Sequence, residues 1–355
     1  MAEAATMAAA TTAAATAVET RLHLKVGQGQ DDVRHAFRKA FGHKPQALGG
    51  GTFGNVWRVE LAGQEWALKV PTTAGKCCMG LGSWREAANL LVLETVSQGG
   101  HKHPNLLIPR VLHTRGDMMV HMMPVAQGSL HDLLSSGRTL DAAPERAWDL
   151  VHGLRFLHYR GLAHLDLKPA NIMVFPQGPG EQLRIGDFGT MRLDQGGAAY
   201  LHTTTAYRSP EYLLAGQTIG GGRVDDIWSL GCVLHEMCTG RRLIMTSETK
   251  PAVLQIQVEL LGRLRLGSRA VSAKAEEQVS RLIKFTGGRT LQTMAGVYGQ
   301  LMDQCLQWEA DGRVDTACKL GQWAAKRTWY DVDTGVEVVE EELASKRRVV
   351  LLLDS

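Results

Sequence analysis

From Leu48 to Val70 the chain reads as strand, turning twice on glycine, whereas beyond Leu130 its apolar residues recur mostly at helical spacing. That change of period constrains the fold more than any other feature. Val56-Trp57-Arg58-Val59 and Trp66-Ala67-Leu68-Lys69-Val70, with bends at Gly49–Gly51 and at Gly63, predict an antiparallel hairpin. A helix is expected over Ser83–Leu93, opened by a Ser83–Glu86 capping box and carrying Leu90, Leu91 and Leu93 as apolar surface. Leu130–Leu134, Pro144–Tyr159, Asp226–Cys238 and Ala252–Leu264 all show helical apolar spacing, and short strand-like pieces surround Asn171 and Asp187. A small β-rich part followed by a larger helical part gives an α+β class, with two lobes and a cleft between them.

The N-terminus reads differently. Residues 1–30 open with a run of Ala and Thr that lacks an apolar stripe, and are expected to be disordered. No Lys or Arg occurs among the first twenty residues, which argues against a signal or transit peptide. Asp31–Phe41 is an amphipathic helix, with Val33, Ala36, Phe37, Ala40 and Phe41 on one face and Gly42 as its stop. Packing on the following domain is the simpler use of that face, and docking of a partner is the alternative. The net charge of +3 is too small to indicate nucleic acid, and no apolar run is long enough to span a bilayer. None of the six cysteines makes a C-x-x-C pair or a zinc-type cluster with histidine, which fits reduced thiols in a cytoplasmic or nuclear protein.

Three segments carry chemistry. Gly49-Gly50-Gly51-Thr52-Phe53-Gly54-Asn55-Val56 fits G-x-G-x-x-G-x-V, where bare backbone amides can approach phosphate oxygens. Lying between strands it is no Rossmann fingerprint, and Asn55 excludes a Walker loop; alone it is equally a hairpin without ligand. Lys69 follows on the next strand, where a cation among apolar residues makes sense if it binds phosphate and Glu86 holds it. The most specific segment is His164-Leu165-Asp166-Leu167-Lys168-Pro169-Ala170-Asn171, a shaped loop because Pro169 stops a helix there. Ile185-Gly186-Asp187-Phe188-Gly189 comes next. Asp166 can orient a hydroxyl, Lys168 can neutralise a transferred phosphate, and Asn171 and Asp187 offer hard oxygens to Mg²⁺.

In this order the segments resemble the signature of eukaryotic-type protein kinases. The resemblance runs over roughly residues 44–325 and implies a bilobal protein-kinase fold. Residues 31–325 would form the kinase domain with its preceding helix, the small lobe over 44–123 and the large lobe over 124–325, with 326–355 a tail that could dock a partner. Further matches are Ser209-Pro210-Glu211, similar to Ala-Pro-Glu, Asp226-Ile227-Trp228-Ser229-Leu230-Gly231, similar to D-x-W-S-x-G, and His103-Pro104-Asn105. They imply a Glu211–Arg313 ion pair and a structural role for Asp226 in holding the catalytic-loop backbone.

The resemblance implies ATP and Mg²⁺ as cofactors and a protein substrate. Asp166, Lys168, Lys69 and Thr204 would be catalytic, and Asn171 and Asp187 would hold the metal. Gly49, Gly50, Gly51, Thr52, Phe53, Gly54, Val56, Ala67, Lys69, Glu86, Met122 as gatekeeper, Met123, Val125 and Met173 would surround the nucleotide. Lys168 and Thr204 resemble the Ser/Thr-specific pattern. Leu165 departs from the family, which usually has an arginine there to pair with a phosphate on the activation loop. The resemblance therefore predicts basal activity without phosphate on Thr203 or Thr205.

Overall fold

The computed structural model describes residues 2–25, 28–51, 54–71, 81–96, 103–116, 118–138, 143–178, 180–193, 204–209, 222–243, 305–306, 329–331 and 336–338. Among them the chain forms two compact units. The first comprises Met1–Lys102, Leu106–Gln127 and Gly186–Gly189, and the second His103–Asn105, Gly128–Ile185 and Thr190–Ser355.

The first unit is built on a five-stranded antiparallel sheet. Its strands are β1 (Gln46–Gly51), β2 (Gly54–Leu61), β3 (Gln64–Val70), β4 (Arg110–His113) and β5 (Met119–Pro124), in the order β1-β2-β3-β5-β4. The expected hairpin is β2–β3, with Trp57 opposite Leu68 and Val59 opposite Trp66. Strand periodicity sends Trp57, Val59, Leu61, Trp66, Leu68, Val70, Val120 and Met122 into one core, and leaves Val56, Ala67 and Lys69 on the other face.

What closes that core corrects the expectation of a disordered N-terminus. Ala2–Arg21 is a helix, α1, and Gln30–Phe41 a second, α2. Ala14, Ala15, Val18, Leu22 and Leu24 are buried in the same core as the sheet residues. Within α1 the stripe is Ala14, Ala15 and Val18, side chains small enough for close packing. The threonines that lower helix propensity turn their hydroxyls onto carbonyls four residues back, Thr12 on Ala8 and Thr16 on Thr12. After α1 the chain runs beside the β4–β5 turn, where Arg115 N donates to Leu22 O at 2.8 Å. A Cβ on Gly116 would collide with Leu24 O, so this approach requires glycine.

Helix α2 is as expected. Val33 and Phe37 are buried, Phe37 packs 6.4 Å from Trp57 between ring centroids, and Gly42 closes the helix at φ 81°. Its apolar face packs on the sheet. Helix α3 (Leu81–Val96) begins two residues before the expected start. Ser83 lies inside it, and Glu86 points its carboxylate elsewhere. Leu90 and Leu93 are buried, but Leu91 is 60% exposed.

The second unit is mainly helical, with α4 (Leu130–Ser135), α5 (Ala143–Tyr159) and α6 (Arg223–Thr239). β6 (Gly128–Ser129), β8 (Ile172–Gln177) and β9 (Gly180–Ile185) form a small sheet, and β7 (Leu162–Ala163) pairs with β10 (Arg192–Leu193). His103–Asn105 belongs here. Asn105 donates its amide to Asp149 on α5 at 2.9 Å, and its carbonyl accepts Ile185 N at 2.9 Å. A final antiparallel pair joins β11 (Trp329–Asp331) to β12 (Val336–Val338), within the stretch expected to be a tail. The helix expected over 252–264 lies outside the described residues.

Candidate active site

Each unit contributes one carboxylate-centred cluster. In the first, Lys69 Nζ lies 2.8 Å from Glu86 Oε2 and 3.3 Å from Asp187 Oδ1. β3 supplies the lysine, α3 the glutamate, and Gly186–Gly189 the aspartate. Glu86 and Asn89, three apart and so on one helical face, both work here, since Asn89 Nδ2 donates to Phe188 O at 2.7 Å. Asp187 has φ 63°, a left-handed conformation uncommon outside glycine.

Burial is the largest single influence on both charges of the pair. It works to lower the Lys69 pKa, but Glu86 and Asp187 outweigh it and hold the ammonium above its usual range. Burial works to raise Glu86, but Lys69 and then His121 overcome it and hold the carboxyl at about 2. Glu86 is therefore an ion at neutral pH.

The glycine-rich strands meet with Gly49 opposite Val56, Gly50 opposite Asn55 and Gly51 opposite Gly54. A Cβ on Gly54 would sit 2.6 Å from Val70 O, so glycine is required there by packing alone. Thr52 and Phe53 lie outside the described residues. Val56, Ala67 and Lys69 share one face of the sheet, as a phosphate and base site would need.

The two methionines expected at the hinge fall on opposite faces of the sheet. Met122 pairs with Leu68 and is buried in the core under α1 and α2. Met123, opposite Ala67, is on the Lys69 face. Period-two alternation keeps the two from sharing a face. Val125 follows the strand, half-buried, and Met173 lies on β8 of the second unit, opposite Ser129.

In the second unit Asp166 is held by four donors. Lys168 Nζ lies 2.7 Å and Asn171 Nδ2 3.1 Å from Oδ2; the Thr204 backbone N–H and Oγ1 lie 3.0 and 3.1 Å from Oδ1. Lys168 also donates to Thr204 Oγ1 at 2.7 Å. Pro169 starts a 3-10 turn that ends on Asn171, and this turn brings the amide back to Asp166. Only the Nδ2 of Asn171 is engaged in these bonds, so its Oδ1 fits a hard cation. Asp187 fits the same role in the first unit. Mg²⁺ takes few protein ligands and completes its shell with phosphate and water, which two such oxygens would suit.

The loop is fixed from below by Asp226 on α6. Its carboxylate, fully buried, accepts His164 N and Leu165 N, each at 2.7 Å, and contacts His158 Nε2 at 2.9 Å. Leu165 is buried with φ 66°, so this backbone conformation costs about 1–2 kcal/mol, offset by those two bonds to a charged acceptor. Pro210, Glu211 and Arg313 lie outside the described residues; Ser209 is buried against Asp225.

Residues 43–322 match the model of the protein kinase domain. The chain belongs to that family. Its fold is the α+β protein-kinase fold. Among relatives, "Probable dual specificity protein kinase madd-3" of Caenorhabditis elegans is 29% identical over 62% of this chain and 26% of its own length. "Serine/threonine-protein kinase AFC2" of Arabidopsis thaliana is 29% identical over 57% and 52% respectively, and "Serine/threonine-protein kinase SSK22" of Saccharomyces cerevisiae 31% over 56% and 16%. The chain thus spans from about a sixth to about half of the length of these relatives. Kinase-domain signatures account for Lys69, Glu86, Asp166, Asn171, Asp187 and Asp226. Two buried histidines at the clusters, His121 and His158, belong to no such motif. The only sign of His121 in the sequence is that it is the one polar residue in the apolar run Met118–Met123.

Proposed function

We propose that this chain is an ATP-dependent protein kinase that transfers the γ-phosphate to Ser or Thr hydroxyls of protein substrates. The arrangement around Asp166 is the observation that supports this best. A carboxylate braced by Lys168, Asn171 and Thr204 can accept a hydrogen bond from a substrate hydroxyl and keep it aimed. Lys168 then places a cation where phosphate charge develops. Lys69, anchored by Glu86, provides a second cation for phosphate, and Asn171 and Asp187 offer oxygens to Mg²⁺. Bound Mg²⁺ supplies charge neutralisation on the phosphates. Lys168 and Thr204 stand where Ser/Thr-specific kinases place these residue types, which supports Ser/Thr over Tyr acceptors.

The test is incubation with Mg²⁺-ATP and a generic basic protein, wild type beside Asp166→Asn, followed by identification of the phosphorylated amino acid. Transfer by wild type should fall about 10²–10⁴-fold in the variant. Equal label in both would make the chain an ATP-binding scaffold, and label on tyrosine would overturn the Ser/Thr assignment.

A further inference from the structure

One buried ionisable side chain of the first unit binds neither phosphate nor metal nor substrate hydroxyl. His121 stands in the middle of β5. Its neighbours Val120 and Met122 face the core beneath α1 and α2. Alternation turns His121 to the opposite face, where it pairs with Lys69 on β3 and with Val111 on β4. Its side chain is 1% exposed, and its Nδ1 lies 3.2 Å from Glu86 Oε2, the same oxygen that receives Lys69. The approach is not along the ring N–H, and neither ring nitrogen completes a hydrogen bond among the described residues. Burying an imidazole without completed hydrogen bonds is destabilising. A methionine, as at the following position, would avoid that cost. The position gives up stability for a group whose ring touches the Glu86 carboxylate.

We propose that His121 is a positioning residue for the Lys69–Glu86 pair. The imidazole closes the flank of Glu86 Oε2 that Lys69 leaves open, so the carboxylate cannot rotate away and α3 stays coupled to β3. Lys69, Glu86 and His121 then act as one unit drawn from two neighbouring strands and a helix. The charged groups facing the ring among the described residues are Glu86 from α3 and Lys69 from β3, with Asp187 reached through Lys69; β4 presents only Val111. The inference deepens the kinase reading and rests on it for its consequence in turnover.

A double-mutant cycle on the full chain tests it, using His121→Leu, Glu86→Gln and the double variant. kcat and KM for ATP are measured together with the Kd of Mg²⁺-ADP and the melting temperature. His121→Leu should lower kcat/KM for ATP and weaken ADP binding by about fivefold to twentyfold, without a fall in melting temperature. Adding it to Glu86→Gln should cost less than about threefold more. His121→Asn, which keeps a planar polar side chain against Glu86 Oε2, should recover most of the loss. Should the leucine variant not fold, His121→Met takes its place in the cycle. Additive losses, or a leucine variant with wild-type nucleotide affinity, would overturn the proposal. If wild type transfers no phosphate, the kinase reading fails, and the cycle read through ADP affinity still decides the role of His121.

Discussion

Glu86 and Asp166 are both buried carboxylates that hold a lysine, yet the two clusters are assembled in opposite ways. Asp166 draws Lys168 and Asn171 from its own loop, and only Thr204 comes from afar. Glu86 draws Lys69 from β3 and His121 from β5, and its partner Lys69 also reaches Asp187. A loop turned by Pro169 brings Lys168 and Asn171 to Asp166 by local geometry. The second exists only if sheet register and helix phase are both right. Local geometry therefore protects the Asp166 cluster, while the Glu86 cluster depends on packing at a distance.

The strongest challenge to that contrast is Asp226→Ala, because Asp226 is the distant residue on which the catalytic-loop backbone leans. The substitution leaves His164 N and Leu165 N buried without their acceptor, at about 1–3 kcal/mol each, and removes a partner of His158. Thermal unfolding should show a loss of about 3–5 kcal/mol. A loss below about 1 kcal/mol would mean that the loop is fully self-supporting.

Glu86→Gln comes next. It leaves Lys69 with Asp187 alone and should cost about 3 kcal/mol. The pH dependence has a definite sign. Glu86 is held at about 2, below an unfolded value of about 4.3, so its contribution is present above about pH 4 and is lost as pH falls towards 2. Wild type should lose stability through that window more steeply than Glu86→Gln, as followed by chemical denaturation at successive pH values. Parallel curves would show that the pair does not stabilise the fold.

Gly116→Ala sharpens the comparison at a smaller scale. The new methyl must displace the chain at Leu24, which continues α1 into the core of the first unit. Overpacking of this kind costs about 1–3 kcal/mol, and nucleotide affinity should weaken with it if the first unit's cluster depends on distant packing. The smallest effect is expected from replacing Thr203 and Thr205 together by alanine. Leu165 cannot pair with a phosphate, so transfer to a model peptide should stay within about tenfold of wild type.

The same contrast decides how much of the molecule is legible in its residue order. The loop from His164 to Asn171, the Asp-Phe-Gly segment and the glycine-rich hairpin are legible because residue spacing alone puts their groups together. Asp226 is legible through family resemblance, and Glu86 through the need of a buried lysine for a carboxylate in the next helix. Which of Met122 and Met123 faces Lys69 is not legible in residue order, because the two are chemically identical and only pairing with Leu68 or Ala67 separates them. The N-terminal helix is hidden there because Ala and Thr carry a weak apolar signal until a sheet face stands against them.

Residue order by itself determined the α+β class and the grouping of Asp166 with Lys168 and Asn171, for these depend on backbone reach over a few residues. Tertiary structure decided which methionine faces Lys69, that α1 completes the small sheet's core, and that His121 lies against Glu86. Each of those depends on strand register and helix phase, quantities that no short stretch of chain contains.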